Sequence, residues 1–132
     1  MEIKVFNGKE VPQEYKEQIN ILLFELNKLG ESKIKQTTFD TDRFVIGLID
    51  DKVVGFVKLS GSDNNLCTIA YIARNPHDGK GVAKTLIKYI QENLPISKLL
   101  AGVESNVPDK IERLLTSCDF VKGRQFFEWK KV

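Results

Sequence analysis

The sequence has few metal-binding side chains and no stretch long and apolar enough to cross a membrane. Its two cysteines, Cys67 and Cys118, lie far apart in the chain and form no CxxC motif. With only one histidine, the sequence offers no cysteine–histidine metal cluster. No apolar run reaches about 18 residues, and the opening MEIKVFNGKE lacks the apolar segment of a secretion signal. We therefore expect a reduced, soluble, cytoplasmic protein with no metal and no membrane contact.

An excess of charge of either sign is also absent. Twenty basic and eighteen acidic residues give a net charge of +2, which is too even to indicate a nucleic-acid partner. The hydrophobic fraction of 42% and the charged fraction of 29% exclude a disordered or fibrous chain. No repeat or low-complexity tract divides the 132 residues, so we predict one domain over residues 1–132.

The first third of the chain contains the clearest helix signal. A short strand around Ile3 and Val5 ends at Asn7-Gly8, and Pro12 is well placed to open a helix. Gly30 then suits the C-terminal cap. Residues 31–42 are polar and predict either a short helix or a loop. The apolar stripe of the helix recurs at spacings of three and four residues: Tyr15, Ile19, Leu22, Leu26 and Leu29.

The remaining elements alternate strands with two further helices. Two apolar runs joined by Asp50-Asp51-Lys52 predict a central antiparallel hairpin. This order predicts an α/β (α+β) fold with a mixed, mostly antiparallel sheet and one strand–helix–strand crossover. The predicted strands are 44–49, 53–59, 66–73, 98–104, 120–122 and 126–132, and the predicted helices are 82–94 and 108–118.

A glycine turn between a strand and a helix carries the main chemical signal. The unpaired amides of a helix N-terminus attract anions, and glycines let a bulky phosphate approach the backbone. Gly79 and Gly81 stand at such a turn. Lys80, Lys84 and Lys88 recur every fourth residue and form a basic edge on the same helix. We interpret the turn as a site for a ligand with several phosphates. A tight turn beside solvated lysines is the alternative, and the Walker A and Rossmann spacings are both absent.

The chain resembles the GCN5-related N-acetyltransferase (GNAT) family in its order of elements and in three sequence motifs. These motifs are PHDGKGVA at residues 76–83, VVGFVKL at residues 53–59 and "DF" at residues 119–120. The resemblance covers essentially the whole chain. It implies a central sheet of about six to seven strands flanked by three to four helices. It also implies acetyl-CoA as co-substrate and an amine acceptor, either a small molecule or a group on a peptide or protein.

The resemblance further implies which residues contact the cofactor. The loop matching Gly79, Lys80, Gly81, Val82, Ala83 and Lys84 binds the pyrophosphate, the strand end at Ile72, Ala73 and Arg74 pairs with the pantetheine arm, and Asn106 lies near the cofactor. Asp78 stands where the family usually has arginine or glutamine. Leu115 stands where it often has a catalytic tyrosine, and Thr68 where some members have glutamate. These departures leave a second reading, a non-catalytic CoA-binding, sensor or interaction module of the same fold.

Acetyl transfer to an amine by direct attack in a ternary complex needs a neutral nitrogen. A lysine-type amine, with a pKa of about 10.4, is neutral in fewer than roughly one molecule in a thousand at pH 7, whereas an α-amine loses only about 1 kcal/mol. An enzyme without a strong base should therefore favour the α-amine.

Three side chains are catalytic candidates. Glu104 is the candidate base, with an ion-paired edge glutamate as the alternative. Tyr71 is a candidate proton donor and Cys118 a candidate to protonate the leaving thiolate, with a core tyrosine and a buried structural cysteine as their alternatives. His77 is expected to be exposed. Most of the aromatic residues in strand 126–132 are expected in the core, and one face of that strand is a candidate wall of the acceptor pocket. A homodimer is possible.

Overall fold

A computed structural model describes residues 1–61, 65–77, 80–102 and 109–132. Within that part, seven strands and three α-helices alternate along the chain, and a short 3₁₀ turn at Gly8–Glu10 follows the first strand. The strands are β1 Glu2–Asn7, β2 Arg43–Ile49, β3 Lys52–Ser60, β4 Leu66–Arg74, β5 Lys98–Gly102, β6 Val121–Lys122 and β7 Phe126–Lys130. The helices are α1 Gln13–Lys28, α2 Val82–Asn93 and α3 Asp109–Ser117.

All seven strands join one sheet in the order β1-β2-β3-β4-β5-β7-β6. Every neighbouring pair is antiparallel except β4 and β5, which run parallel and are connected through α2. This arrangement confirms the predicted mixed, mostly antiparallel sheet with a single crossover. The predicted strand 98–104 is described as far as Gly102, and its last two residues lie outside the described part.

The central hairpin forms as the sequence predicts. Asp50 and Asp51 both have positive φ angles, 51° and 62°, which is the backbone of a two-residue type I′ turn. Aspartate tolerates this left-handed region better than most residues. Lys52, predicted as part of the turn, is instead the first residue of β3. The interior residues of both strands are buried on both faces, as expected of central strands.

The two faces of the sheet carry separate cores because helices cover both sides. On one face α1 packs against β2, β3 and the end of β4, and on the other α2 and α3 pack against β3, β4, β5 and β7. The α1 core includes Tyr15, Ile19, Leu23, Leu26, Phe44, Ile46, Phe56 and Ala73. The α2/α3 core includes Val57, Ile69, Leu86, Ile87, Ile90, Leu99, Leu115, Cys118 and Phe127.

The ends of α1 differ in detail from the prediction. Pro12 is the N-cap rather than the first helical residue, and its carbonyl accepts the amides of Tyr15 and Lys16 at 3.0 Å. Gly30 has φ of +73° and ends the helix as predicted. Leu29 was wrongly predicted to be in the stripe, because the helix has already ended there and its side chain is 58% exposed.

The sequence left open whether the segment after α1 forms a short helix or a loop. Residues 31–42 form no helix and run as an extended loop along the α1 face of the sheet. None of the helices in the described ranges is both long and apolar enough to span a bilayer.

Candidate functional site

The described pairing between β4 and β5 covers only the first part of β4. They pair from Leu66 opposite Lys98 to Ile69 opposite Ala101, whereas β4 stays paired with β3 as far as Arg74. The β3–β4 register shifts by one residue between these regions, which leaves Ala70 as the extra residue of a β-bulge. Bulges bend a strand and increase its twist. Beyond Ile69, the edge of β4 that faces away from β3 therefore has no strand partner in the described part of the chain.

Alternate residues of β4 present their backbone groups to this gap. The amide of Asn75 donates to the carbonyl of Val54 at 2.7 Å, which fixes the alternation of the β3–β4 ladder. The main-chain N–H and C=O of Ile72 and Arg74 consequently face the gap. Ala73, which was grouped with them from the sequence, faces β3 with its backbone and packs its side chain in the α1 core.

The N-terminus of α2 lies at the end of β4 and is open. Gly81 is the N-cap with φ of +80°, and a Cβ atom built there would meet no atom within 4 Å. The first helical hydrogen bond runs from the amide of Thr85 to the carbonyl of Gly81 at 3.1 Å. The amides of Val82, Ala83 and Lys84 precede it, so they have no partner inside the helix. Left-handed backbone at Gly81 thus lets the chain turn into a helix whose first amides point outward.

A second glycine sets how closely α2 approaches the sheet. A Cβ atom on Gly55 would lie 2.7 Å from Cγ1 of Val82 and 2.8 Å from the carbonyl oxygen of Ala73. Only a residue without a side chain allows that contact. Val82 is accordingly buried against β3, and the first turn of α2 is held beside the end of β4.

Two of the predicted lysines lie beside the open helix end, but the predicted edge on one helix is wrong for Lys80, which precedes the N-cap Gly81 and is not part of α2. Lys80 and Lys84 are exposed, and no carboxylate of the described residues lies within 4 Å of either ammonium group. Lys88, one turn further on, lies 3.7 Å from Asp119 in an ion pair. Two of the three predicted lysines are therefore available to an anion, and the third is partly neutralised.

The chemistry of this end of α2 fits a diphosphate. Outward-pointing amides, the positive end of a helix dipole, open space at Gly81 and two lysines all favour bound negative charge. Val82 and Ala83 have buried side chains and can contribute only their backbones. Asp78, Gly79, Glu104 and Asn106 lie outside the described residues.

Tyr71 lies on β4 directly after the bulge, on the α1 face of the sheet. Its half-buried ring stacks with Phe56, with centroids 6.2 Å apart. Its hydroxyl is hydrogen-bonded to the hydroxyl of Ser32, in the loop after α1. The Ser32 hydroxyl in turn donates to the carbonyl of Ile34 at 2.6 Å. Since the serine proton is used in that bond, the Tyr71 hydroxyl is the donor to Ser32 and keeps its lone pairs for another partner.

Cys118 is fully buried after the end of α3. Burial is the main reason that the pKa of its thiol is raised above the ordinary value. Its carbonyl accepts the side-chain amide of Gln91 at 2.8 Å, which links α2 to the end of α3. Leu115, where the family often has a tyrosine, is 1% exposed in the same core. This placement favours the structural alternative for Cys118.

Other predicted positions are also located. His77 is exposed, as expected, and its amide donates to the side chain of Asn75 at 2.8 Å. Phe127 is buried and Trp129 packs partly against the same core, whereas Phe126 points to the opposite face and is 41% exposed.

Sequence reasoning missed two residues that organise the loop over the α1 face. One is Ser32, described above. The other is Lys58, whose ammonium group donates to the hydroxyl of Thr37 at 2.9 Å and lies 3.7 Å from the carboxylate of Asp42. Lys58 could have been found from the sequence, because it is a charged residue inside the otherwise apolar strand VVGFVKL. No local sequence pattern indicated the role of Ser32.

Comparison with known proteins agrees with this geometry. The family model described as "Acetyltransferase (GNAT) family" matches residues 11–106. Comparison of the sequence with curated proteins yields no match.

Solved structures share the fold at low sequence identity. Aminoglycoside 6'-acetyltransferase type Ii is 10% identical with a TM-score of 0.77, over 100% of this chain and 98% of that one. The acetyltransferase yncA from Salmonella typhimurium with acetyl-CoA is 15% identical with a TM-score of 0.67, over 100% and 95%. The Campylobacter jejuni N-acetyltransferase PseH in complex with acetyl coenzyme A is 21% identical with a TM-score of 0.62, over 99% and 100%. With its family match over most of its length, the chain belongs to the acetyltransferase (GNAT) family.

Proposed function

We propose that the protein transfers an acetyl group from acetyl-CoA to a primary amine by direct attack in a ternary complex. The observation that carries the proposal is the open N-terminus of α2 beside the gap between β4 and β5. Two structural relatives were determined with acetyl-CoA, and this chain has backbone groups and charge suited to the same ligand.

Different groups of the described residues would bind different parts of acetyl-CoA. The amides of Val82, Ala83 and Lys84, with the ammonium groups of Lys80 and Lys84, would hold the diphosphate. The main-chain groups of Ile72 and Arg74 would pair with the amide-containing pantetheine arm, as a neighbouring strand would. Gly79 and Asn106 remain proposed contributors from outside the described residues.

Acetyl-CoA supplies an activated acyl group, so the chain must supply position and a neutral amine. The amine nitrogen forms the new C–N bond, the C–S bond breaks, and one proton passes from the amine to the departing thiolate. An amine of pKa about 10.4 spends about 4–5 kcal/mol to become neutral at pH 7, and an α-amine only about 1 kcal/mol. We propose an acceptor amine of lowered pKa, or a base such as Glu104 acting directly or through water.

Tyr71 is the described side chain best placed to meet the amine. It stands where β4 and β5 part, and its hydroxyl oxygen has lone pairs directed away from Ser32. We propose that this oxygen accepts an N–H of the incoming amine and orients it. Proton donation, the role that the sequence suggested, would require the bond to Ser32 to break first. A proton-transfer role for Cys118 is less well supported because its thiol is fully buried.

Two measurements test the proposal together. Calorimetric titration with acetyl-CoA should show binding, and mass spectrometry with a panel of amines should show an acetylated product whose appearance matches release of the CoA thiol. The absence of heat and of a thermal shift at millimolar acetyl-CoA would refute the proposal.

The second candidate function is a non-catalytic module that binds CoA. It is favoured by Leu115, a fully buried apolar residue where the family often places a tyrosine acid. The same amine panel separates the two, because CoA binding without turnover of any amine supports the module. We also propose a cytoplasmic location, a single domain over residues 1–132 and a homodimer, as expected from the sequence.

A further inference from the structure

Half of one sheet face has no helix over it in the described part of the chain. Leu99, Ala101 and Phe127 point into the core under α2 and α3, so their neighbours along β5 and β7 point to the other face. Helix α1 covers β2, β3 and the end of β4 on that face and does not reach β5 or β7. Leu100 and the 41% exposed ring of Phe126 therefore form an apolar floor open to solvent.

A cavity of about 490 Å³ occupies this open face. It is lined by Lys98, Leu100, Phe126 and Glu128 from the strands and by residues 123–125 at the tip of the last hairpin. A neighbouring cavity of about 420 Å³ shares Gly123, Phe126 and Glu128 with it, and we call the two together the groove.

The charged groups of the groove leave it with excess positive charge. The ammonium groups of Lys98 and Lys130 lie 3.2 and 3.4 Å from the same oxygen of Glu128. The nearby ammonium group of Lys98 is the main reason that the pKa of Glu128 is held below its usual value. Two carboxylates, Asp119 and Glu128, thus face four basic groups: Lys98, Lys122, Arg124 and Lys130. No described carboxylate lies within 4 Å of the Arg124 guanidinium.

The groove begins beside the point where β4 and β5 separate. Phe126 is paired with Gly102, one residue beyond the last β4–β5 pair at Ala101. Leu100 is the direct neighbour of Thr68 on β4, and β7 is the next strand over. At about 4.8 Å between strands, the groove floor lies within about 10 Å of the separation. A molecule reacting there extends naturally across Phe126 and Leu100.

From this we infer that the groove binds the non-reacting part of the acceptor, and that the acceptor is a small amine carrying an anionic oxygen group, a carboxylate or a phosphate. The inference rests on the proposed acetyl transfer and specifies its substrate. Arg124 is the anchor for the anion, because guanidinium groups bind carboxylate and phosphate through paired hydrogen bonds. Polycationic amines are disfavoured because the groove repels them. The acceptor class in the name of the aminoglycoside-modifying relative therefore does not extend to this chain.

Matched amines test the charge preference directly. We would compare kcat/KM for 4-aminobutyrate with butylamine, for phosphoethanolamine with ethanolamine, and for the polycation kanamycin. The anionic member of a pair should be preferred by about tenfold, the worth of one charge-assisted hydrogen bond. The two pairs distinguish a carboxylate acceptor from a phosphate acceptor, and kanamycin should be the poorest substrate.

Variants at the hairpin tip test the assignment to Arg124. Arg124→Gln should abolish most of the preference, and Arg124→Glu should reverse it. Arg113→Gln, an exposed change on α3 across the sheet, is the matched control and should do neither. Equal use of both members of each pair, or a preference that survives Arg124→Gln, would overturn the inference while leaving acetyl transfer intact. Acetyl-CoA binding without turnover of any amine would instead overturn the proposed function, and the inference with it.

Discussion

Two glycines of this chain allow a controlled test of the nucleotide site. Gly81 begins α2 and Gly30 follows α1, and their φ angles are +80° and +73°. A Cβ atom at either position would meet nothing within 4 Å. Gly81→Asn and Gly30→Asn therefore place the same side chain on nearly the same left-handed backbone, in open space. They differ in that only Gly81 stands at the N-terminus of a helix.

The expected effects on stability are equal, and those on binding are not. Asparagine tolerates left-handed backbone better than other non-glycine residues, so each change should cost about 1 kcal/mol or less of unfolding free energy. That corresponds to a fall in Tm of about 4 °C. At Gly81 the new side chain also obstructs the amides of the first helical turn. Loss of one charge-assisted hydrogen bond to phosphate costs about 1.5–3 kcal/mol, so affinity for CoA should fall at least about tenfold.

The assay is calorimetric titration of both variants with CoA, alongside thermal unfolding without ligand. Gly30→Asn should bind CoA with the affinity of the unmodified protein and so control for the strain itself. The reasoning would be refuted if Gly81→Asn bound CoA as well as Gly30→Asn did, or if both variants lost affinity to the same extent.

Further predictions concern single side chains. Lys84→Gln should weaken CoA binding several-fold at low salt and less at high salt. Lys88→Gln should have a smaller effect because Lys88 is already paired with Asp119. Calorimetric titrations at two ionic strengths check both expectations. Tyr71→Phe should lower kcat/KM for the amine about tenfold and leave the calorimetric affinity for CoA unchanged, and an equal loss of both would contradict an acceptor-side role. The hydrogen bond from the Tyr15 hydroxyl to the carboxylate of Asp51 is the main reason that the pKa of Tyr15 is raised. The stability that this bond provides is therefore present below about pH 10 and is lost as the pH rises through the folded-state pKa. In Tyr15→Phe, the free energy of unfolding measured in urea should depend less on pH across that range. Cys118 is fully buried with a raised pKa, so its alkylation should be slow at pH 7 and accelerate only with unfolding, as followed by mass spectrometry.

Local signals were sufficient for most of the fold. Apolar spacing and Gly30 identified α1, and Asp50-Asp51 identified the central hairpin, because caps and turns depend on residues close in sequence. The error at Leu29 has the same origin. The apolar spacing alone extends the buried stripe to Leu29, whereas the helix ends at Lys28, just before the left-handed residue Gly30. The side chain of Leu29 is therefore exposed.

The candidate site was only partly predictable for the opposite reason. The glycine turn and its lysines are contiguous in sequence and were found there. The pairing of Tyr71 with Ser32 joins residues 39 positions apart, and that of Lys58 with Thr37 joins residues 21 apart. The unpaired edge of β4 begins at a bulge that no local pattern marks, because a bulge is defined by the register between two strands.

The two halves of the proposed cofactor site lie at the same edge of the sheet for a topological reason. Parallel strands need a crossover, and α2 supplies it between β4 and β5. Val82 packs at Gly55 beside the carbonyl of Ala73, which places the start of α2 where β4 ends. Its open amides therefore lie at the carboxyl end of that strand. The described β4–β5 pairing ends at Ile69, directly before the bulge at Ala70, so the unpaired edge of β4 lies toward the same end. One connection and one inserted residue thus bring an anion-binding helix end next to an unpaired strand edge, and a ligand with a diphosphate at one end and peptide-like amides along its arm matches both.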